Sequence, residues 1–138
     1  MKIGFTCSCF DLFHAGHVFM LKDAKTQCDY LIVGLQTDPT IDRPNKNKPI
    51  MSFEERKILV ESCKYIDQII EYTTENDLLN ILTNNNIDIR ILGSDYINKS
   101  FTGNQLNIPI YYHDRSILNL STTSLRNKIY IAEKNLHH

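Results

Sequence analysis

His14 and His17 flank Gly16 in the stretch Cys9-Phe10-Asp11-Leu12-Phe13-His14-Ala15-Gly16-His17, where a short apolar strand gives way to a helix. A helix N-terminus presents free amides that attract anions. Two imidazoles brought to the same point add donors for negative charge that develops during a reaction. The chemistry this favours is work on a phosphate that is gaining charge. A metal site is the rival reading, since Cys7 and Cys9 alternate onto one strand face just before the histidines. Cys-x-Cys is tighter than the spacing of two to four residues usual for structural zinc, and nothing else in the chain closes a second knuckle.

The elements that must hold these residues follow from periodicity. Residues 2–7 are apolar at alternate positions, as in a half-covered strand, and Val18, Leu21, Ala24 and Lys25 recur at helical spacing. Apolar runs at 29–35, 68–72, 87–92 and 108–112 read as further strands. Their short, continuous apolar character indicates a sheet covered on both faces. Ser52 with Glu55 opens a helix running to about residue 63, and Thr74 to Asp77 opens one carrying Leu78, Leu79, Ile81 and Leu82. Ser121 or Thr122 caps the last helix, with Leu125, Ile129 and Ala132 as its inward stripe, and Asn84-Asn85-Asn86 marks a helix end. The alternation predicts an α/β fold, a Rossmann-like three-layer sandwich with a five-stranded parallel sheet. Two polar loops, 36–51 and 94–107, are long enough to carry binding. In such a sheet the ligand lies beyond the carboxyl ends of the strands. His14 and His17, Thr37-Asp38, Gly93-Ser94-Asp95-Tyr96, and Arg115 with Ser121-Thr122-Thr123 all follow strand ends.

With 138 residues the chain is expected to form one domain over 1–138. A formal charge of −1 offers no broad basic field, which argues against nucleic acid as a partner. The sequence has no apolar run of spanning length and no layout of a signal peptide, so a cytoplasmic protein is expected, with no membrane partner. Cys7, Cys9, Cys28 and Cys63 are scattered in the manner of reduced, partly buried thiols. His137 and His138 are set aside from functional reasoning.

In order and spacing, residues 3–130 resemble the cytidylyltransferase-like nucleotidylyltransferases typified by glycerol-3-phosphate cytidylyltransferase. Their G-x-F-D-x-x-H-x-G-H motif is matched by Ser8-Cys9-Phe10-Asp11-Leu12-Phe13-His14-Ala15-Gly16-His17, with Ser in place of the first Gly. Glu55-Arg56-Lys57 followed by Lys64-Tyr65-Ile66-Asp67 is similar to a second basic segment, Leu92-Gly93-Ser94-Asp95-Tyr96 to the fourth-strand loop, and Leu120-Ser121-Thr122-Thr123 to the I-S-T-T signature. One extra residue separates Arg115 from Ser121 relative to that pattern. The Cys9-Phe10-Asp11, His14-Ala15-Gly16-His17 and Ser94-Asp95-Tyr96 segments also resemble adenylyltransferases that act on heptose 1-phosphate.

The resemblance implies attack of a substrate phosphate oxygen on the α-phosphorus of a nucleoside triphosphate, with pyrophosphate released. It implies catalytic roles for His14, His17 and Lys46, with Lys48 an alternative to Lys46 over the triphosphate. Nucleotide binding falls to Ser8, Cys9, Phe10, Asp11, Gly16, Gly93, Asp95, Arg115, Ser121, Thr122 and Thr123, with Arg126 nearby. Asp38, Arg56 and Lys64 are assigned to the acceptor. Mg²⁺ is expected to travel with the triphosphate, held mostly by its oxygens, with no metal tightly bound to protein. Asp11 either holds that ion through water or orients its loop. The expected reaction transfers CMP from CTP to a small phosphorylated alcohol such as glycerol 3-phosphate. The alternatives are an adenylyltransferase acting on a sugar 1-phosphate or FMN, and a non-catalytic nucleotide-binding module. The related enzymes imply a homodimer.

Overall fold

A computed structural model describes residues 1–137, and His138 lies outside the described residues. The apolar runs form strands β1 (Ile3–Ser8), β2 (Tyr30–Gln36), β3 (Gln68–Tyr72), β4 (Ile89–Gly93) and β5 (Ile110–His113). All pair in parallel, in the order β3-β2-β1-β4-β5. Four of them sit one or two positions further along than their apolar runs. The ladder continues into Ser8, Gln36, Gly93 and His113, while Asp29 and Asp88 leave their strands and accept from the Lys2 and Ile3 amides at 2.6 and 2.8 Å. Those carboxylates satisfy the start of the central strand, which would otherwise have two open donors.

Between the strands lie α1 (Ala15–Lys25), α2 (Phe53–Glu61), α3 (Glu75–Asn84) and α4 (Thr122–Leu136). Each opens on a reciprocal side-chain cap, with the pairs His14/His17, Ser52/Glu55, Thr74/Asp77 and Ser121/Ser124. Ser121, and not Thr122, is the cap of α4. Alternation along β2 builds the layers. Leu31, Val33 and Leu35 join Phe10, Leu21, Ala24, Val60, Ile89 and Ile91 on the face covered by α1 and α2. Ile32 joins Phe5, Tyr72, Leu78, Ile81 and Leu82 on the face of α3. No α-helix crosses from β4 to β5. Short 3-10 turns at Ser94–Tyr96 and Asn104–Leu106 make that connection, and Leu106 and Ile108 pack on the α3 face.

The inward stripe expected on α4 is not formed. Leu125 is half-buried, but Ile129 and Ala132 are exposed and no residue of the helix is fully buried. Only its first turn meets the body of the domain, because that turn is held at the site described below. Among the described residues no helix is long and apolar enough to cross a membrane.

Candidate active site

The turn between β1 and α1 is shaped by two non-glycine residues with left-handed backbone, Phe10 (φ 50) and Leu12 (φ 52). Such angles are unfavourable for bulky residues and persist where the surroundings fix them. Phe10 is fully buried, and the Ser8 hydroxyl accepts from its amide at 3.2 Å. The turn delivers His14 to the N-cap of α1. There the Gly16 amide donates to His14 Nδ1 at 3.0 Å and the His14 amide donates to His17 Nδ1 at 3.2 Å. With Nδ1 accepting in both rings, the neutral tautomers carry their proton on Nε2.

The rings themselves are stacked. His17 lies 3.8 Å from the His14 ring centroid and 5.5 Å from that of Phe13, with the Phe10 ring edge-on at 5.2 Å. Burial in this aromatic sandwich pushes the His17 imidazole down to about 3, aided by repulsion from His14 and Arg115. Burial and then Arg115 lower His14 as well. Both rings are therefore neutral donors through Nε2 near neutral pH. Gly16 belongs to this packing, since a Cβ there would meet the His14 ring at 2.8 Å and the Leu120 carbonyl at 3.0 Å.

The start of α4 forms the facing wall. Thr122 Oγ1 donates to the Asp11 carbonyl at 2.9 Å and stands 3.4 Å from His14 Nε2, so the two helix N-termini converge. Ser121 is engaged in capping, its hydroxyl accepting from the Ser124 amide at 3.1 Å. Arg115 is placed by its amide on Ser94 Oγ (3.1 Å) and by an ion pair with Asp95 (3.3 Å). The absence of a side chain at Gly93 makes that pair possible, since a Cβ would lie 2.4 Å from Asp95 Oδ1 and 2.8 Å from Arg115 Cδ. Arg126, one turn into α4, reaches Asp11 Oδ2 at 3.8 Å.

Asp11 is 7 % exposed, and its two oxygens accept from the Ile50 and Met51 amides at 2.9 and 3.0 Å. Of the two roles open to it, the geometry matches the orienting one. Cys9 lies on the wall with its thiol 3.6 Å from Gln36 Oε1, and burial pushes that thiol up to about 11. Cys7 is raised by burial too. Thiols so held resist the deprotonation a zinc site needs. Among the described residues no three His, Cys, Asp or Glu side chains are grouped to hold a metal.

The residues assigned to nucleotide and chemistry line one cleft of about 750 Å³ at the carboxyl ends of the strands. It takes in Ser8, Cys9, Phe10, Asp11, His14, Gly16, His17, Lys46, Gly93, Asp95, Arg115, Ser121, Thr122, Thr123 and Arg126. Lys46 lines it and Lys48 does not.

The acceptor set is the exception. Arg56 is 1 % exposed, and its donors go to the carbonyls of Cys9 (2.9 Å), Gln36 (2.6 Å), Thr37 (2.6 Å) and Met51 (3.2 Å). It ties the turn after β1 to both ends of the β2–α2 connection beneath the cleft and has no face for a ligand. Asp38 caps the 3-10 turn Pro39–Ile41, with Oδ1 accepting from the Thr40 amide and hydroxyl at 2.9 and 2.6 Å. Lys64 is exposed over the Tyr65 ring, away from the cleft. In their place the cleft is lined by Arg43, Tyr72, Glu75, Arg90, Thr102 and His113. A signal for one of them was present: Arg90 is a charge inside the continuous apolar run 87–92, in a strand covered on both faces.

The family model described as cytidylyltransferase-like matches residues 5–133. The bifunctional protein HldE of Caulobacter sp. (strain K31) is 35% identical over 107 residues, covering 77% of this chain and 22% of that protein. HldE of Helicobacter pylori (strain HPAG1) is 38% identical over 105 residues, covering 75% and 22%. The chain thus spans about a fifth of the length of the curated relatives it matches. Among solved structures, the lipopolysaccharide core biosynthesis protein from Thermoplasma volcanium GSS1 superposes with a TM-score of 0.67 at 27% identity, covering 83% of this chain and 99% of that one.

Proposed function

Because the chain belongs to the cytidylyltransferase-like family of nucleotidyltransferases, we propose that it transfers a nucleotidyl group from a nucleoside triphosphate to the phosphate of a small phosphorylated acceptor. The observation that carries this reading is the pair of neutral imidazoles. Both have Nδ1 closed onto backbone amides between the converging starts of α1 and α4, with His17 Nε2 open and His14 Nε2 3.4 Å from Thr122 Oγ1.

The acceptor phosphate oxygen forms a bond to the α-phosphorus while the bond from that phosphorus to the bridging oxygen breaks, and pyrophosphate departs with that electron pair. No proton has to be removed from an anionic nucleophile. What the chain supplies is alignment of two repelling anions and donors for the charge that builds on the α-phosphoryl oxygens. The Nε2–H groups of His14 and His17 donate there, and neutral rings do so without changing protonation during the step. Thr122, Thr123 and the free amides of α4 hold the departing phosphates, with Arg115, Arg126 and Lys46 as fixed positive charge. Charge neutralisation on the triphosphate would come from Mg²⁺ bound with it. The donor set fits that division, since both Asp11 oxygens are taken by amides and Asp95 by Arg115.

Two likenesses favour ATP as donor and a sugar 1-phosphate as acceptor. The relatives are HldE proteins and the superposed structure is a lipopolysaccharide core biosynthesis protein. The Ser94-Asp95-Tyr96 loop also resembles adenylyltransferases of heptose 1-phosphate. The second reading, CMP transfer from CTP to glycerol 3-phosphate, rests on Leu120-Ser121-Thr122-Thr123 and its likeness to the cytidylyltransferase signature. Pyrophosphate release with ATP, CTP, GTP and UTP, each crossed with sugar 1-phosphates, glycerol 3-phosphate, phosphocholine and phosphoethanolamine, separates them. Turnover with ATP and a sugar 1-phosphate is expected. CTP with glycerol 3-phosphate as the best pair overturns that choice, and no release with any pair returns the chain to a non-catalytic nucleotide-binding module. The homodimer belongs to the same proposal. It is supported by the exposed Ile129, Tyr130, Ile131 and Leu136 on α4 and tested by light scattering.

A further inference from the structure

Arginine keeps its charge wherever it is placed, because it does not deprotonate inside proteins. Arg90, on β4, is 4 % exposed, and no ion pair among the described residues includes it. Its Nη1 donates to the Thr102 carbonyl, its guanidinium lies 5.1 Å above the Phe101 ring, and its Nε has no partner. Glu75, joined to the same Thr102, is already committed, with Oε1 on Arg43 at 2.9 Å and Oε2 accepting from the Thr102 hydroxyl at 2.8 Å. An uncompensated buried charge is strongly unfavourable unless a counter-ion arrives. Arg90 lines the cleft, so one can arrive from there.

The position also separates this charge from the chemistry. Arg90 is in register with Phe5, three residues before Gly93 and Ser8 end their strands, or about 10 Å at the usual rise per residue. The reacting phosphate belongs at the strand ends with His14 and His17. A group held by Arg90 therefore lies apart from the phosphate at the strand ends, within the same cleft.

We propose that Arg90 is the anion subsite of the acceptor, which carries a carboxylate or a second phosphate in addition to the phosphate that attacks. The inference rests on the reading of the chain as a transferase acting on a sugar 1-phosphate, and it narrows the substrate to a doubly anionic one. The planar fork of the guanidinium suits either a carboxylate or a phosphate.

The test compares glucose 1-phosphate with glucuronic acid 1-phosphate and glucose 1,6-bisphosphate as acceptors with ATP, for the wild type, Arg90→Met and Arg90→Lys. In the wild type at least one doubly anionic acceptor is expected to exceed glucose 1-phosphate in kcat/KM by ~10-fold or more, as charge-assisted hydrogen bonds allow. The winning arm tells carboxylate from phosphate. Arg90→Met is expected to bring that ratio near one, and Arg90→Lys to keep part of it. A ratio near one in the wild type, or a ratio that survives Arg90→Met, overturns the proposal. If the wild type releases no pyrophosphate with any acceptor, the transferase reading fails and binding decides this one. The doubly anionic compounds should raise the wild-type Tm by several degrees and leave that of Arg90→Met unmoved, whereas equal shifts or none overturn it. Without ligand, Arg90→Met is expected to match or exceed the wild-type Tm, because an unpaired buried charge has been removed. A marked loss would assign Arg90 to holding the segment around Thr102 and overturn the proposal.

Discussion

Two buried arginines sit in this small domain, one beneath the loops and one on the cleft floor, and they are used in opposite ways. Arg56 is surrounded by carbonyl oxygens of Cys9, Gln36, Thr37 and Met51, all of which accept from it. Arg90 has a single carbonyl partner, that of Thr102, and an Nε with none. Burial is nearly equal, at 1 % and 4 % exposure, so accessibility does not separate them. What separates them is whether the donors are closed. A guanidinium whose hydrogen bonds all return to backbone is scaffold, and one left open on a cleft awaits a partner. His17 divides the same way within one ring, with Nδ1 closed on an amide and Nε2 open.

The largest effect expected from this contrast is on Arg56. Arg56→Met removes the donor from four carbonyls, that of Gln36 fully buried, and should destabilise the fold by roughly 3 kcal/mol or more, since each bond to a charged donor is worth about 1.5–3 kcal/mol. Denaturant unfolding reads it directly, and an unchanged midpoint would break the contrast with Arg90. His17→Ala comes next. Losing one donor to developing charge should lower kcat by roughly 10², while the lost cap removes only about 1 kcal/mol of stability. Near-normal turnover would take His17 out of the chemistry, and a collapsed Tm would make it scaffold.

Asp11→Ala should follow with a loss of about 2 kcal/mol, because the Ile50 and Met51 amides lose their acceptor. Its half-saturating Mg²⁺ concentration should equal that of the wild type, and a raised value would mean that the carboxylate meets the ion.

A further effect is set by pH. His17 has a folded value of about 3 against an ordinary 6.5, so below 6.5 the unfolded chain takes up a proton that the folded chain refuses. Stability from this group is complete above 6.5 and is lost as pH falls toward 3, at up to about 1.4 kcal/mol per pH unit. His17→Gln should flatten that slope in urea titrations between pH 6.5 and 4.5. An unaltered slope would show that the sandwich does not hold the ring neutral.

Much of this was legible beforehand. The strands, the layers and three of the four helix caps follow from periodicity and capping pairs, and the residues after the strand ends, Thr37, Asp38 and Ser94 apart, line one cleft. His14 as a cap was not legible, because histidine is an uncommon N-cap and only the left-handed turn at Phe10 and Leu12 brings it there. Arg56 was assigned to the acceptor by the family likeness of Glu55-Arg56-Lys57 alone, whereas its partners are carbonyls, which no side-chain pattern encodes. Arg90 was passed over inside an apolar run. The stripe on α4 had the right spacing, but periodicity reports an apolar face without saying what lies against it.

The bond from Thr122 Oγ1 to the Asp11 carbonyl joins positions 111 apart in the chain. β1, at the centre of the sheet, likewise needs β4 beside it. During synthesis the histidine turn emerges early, yet it remains on an open sheet edge until β4 is made, and it is not clasped until α4 follows. Assembly of the site is thus a late event, governed by contacts of long sequence separation, which form slowly. A ribosome-bound chain lacking α4 holds both imidazoles without the Thr122 wall that faces them.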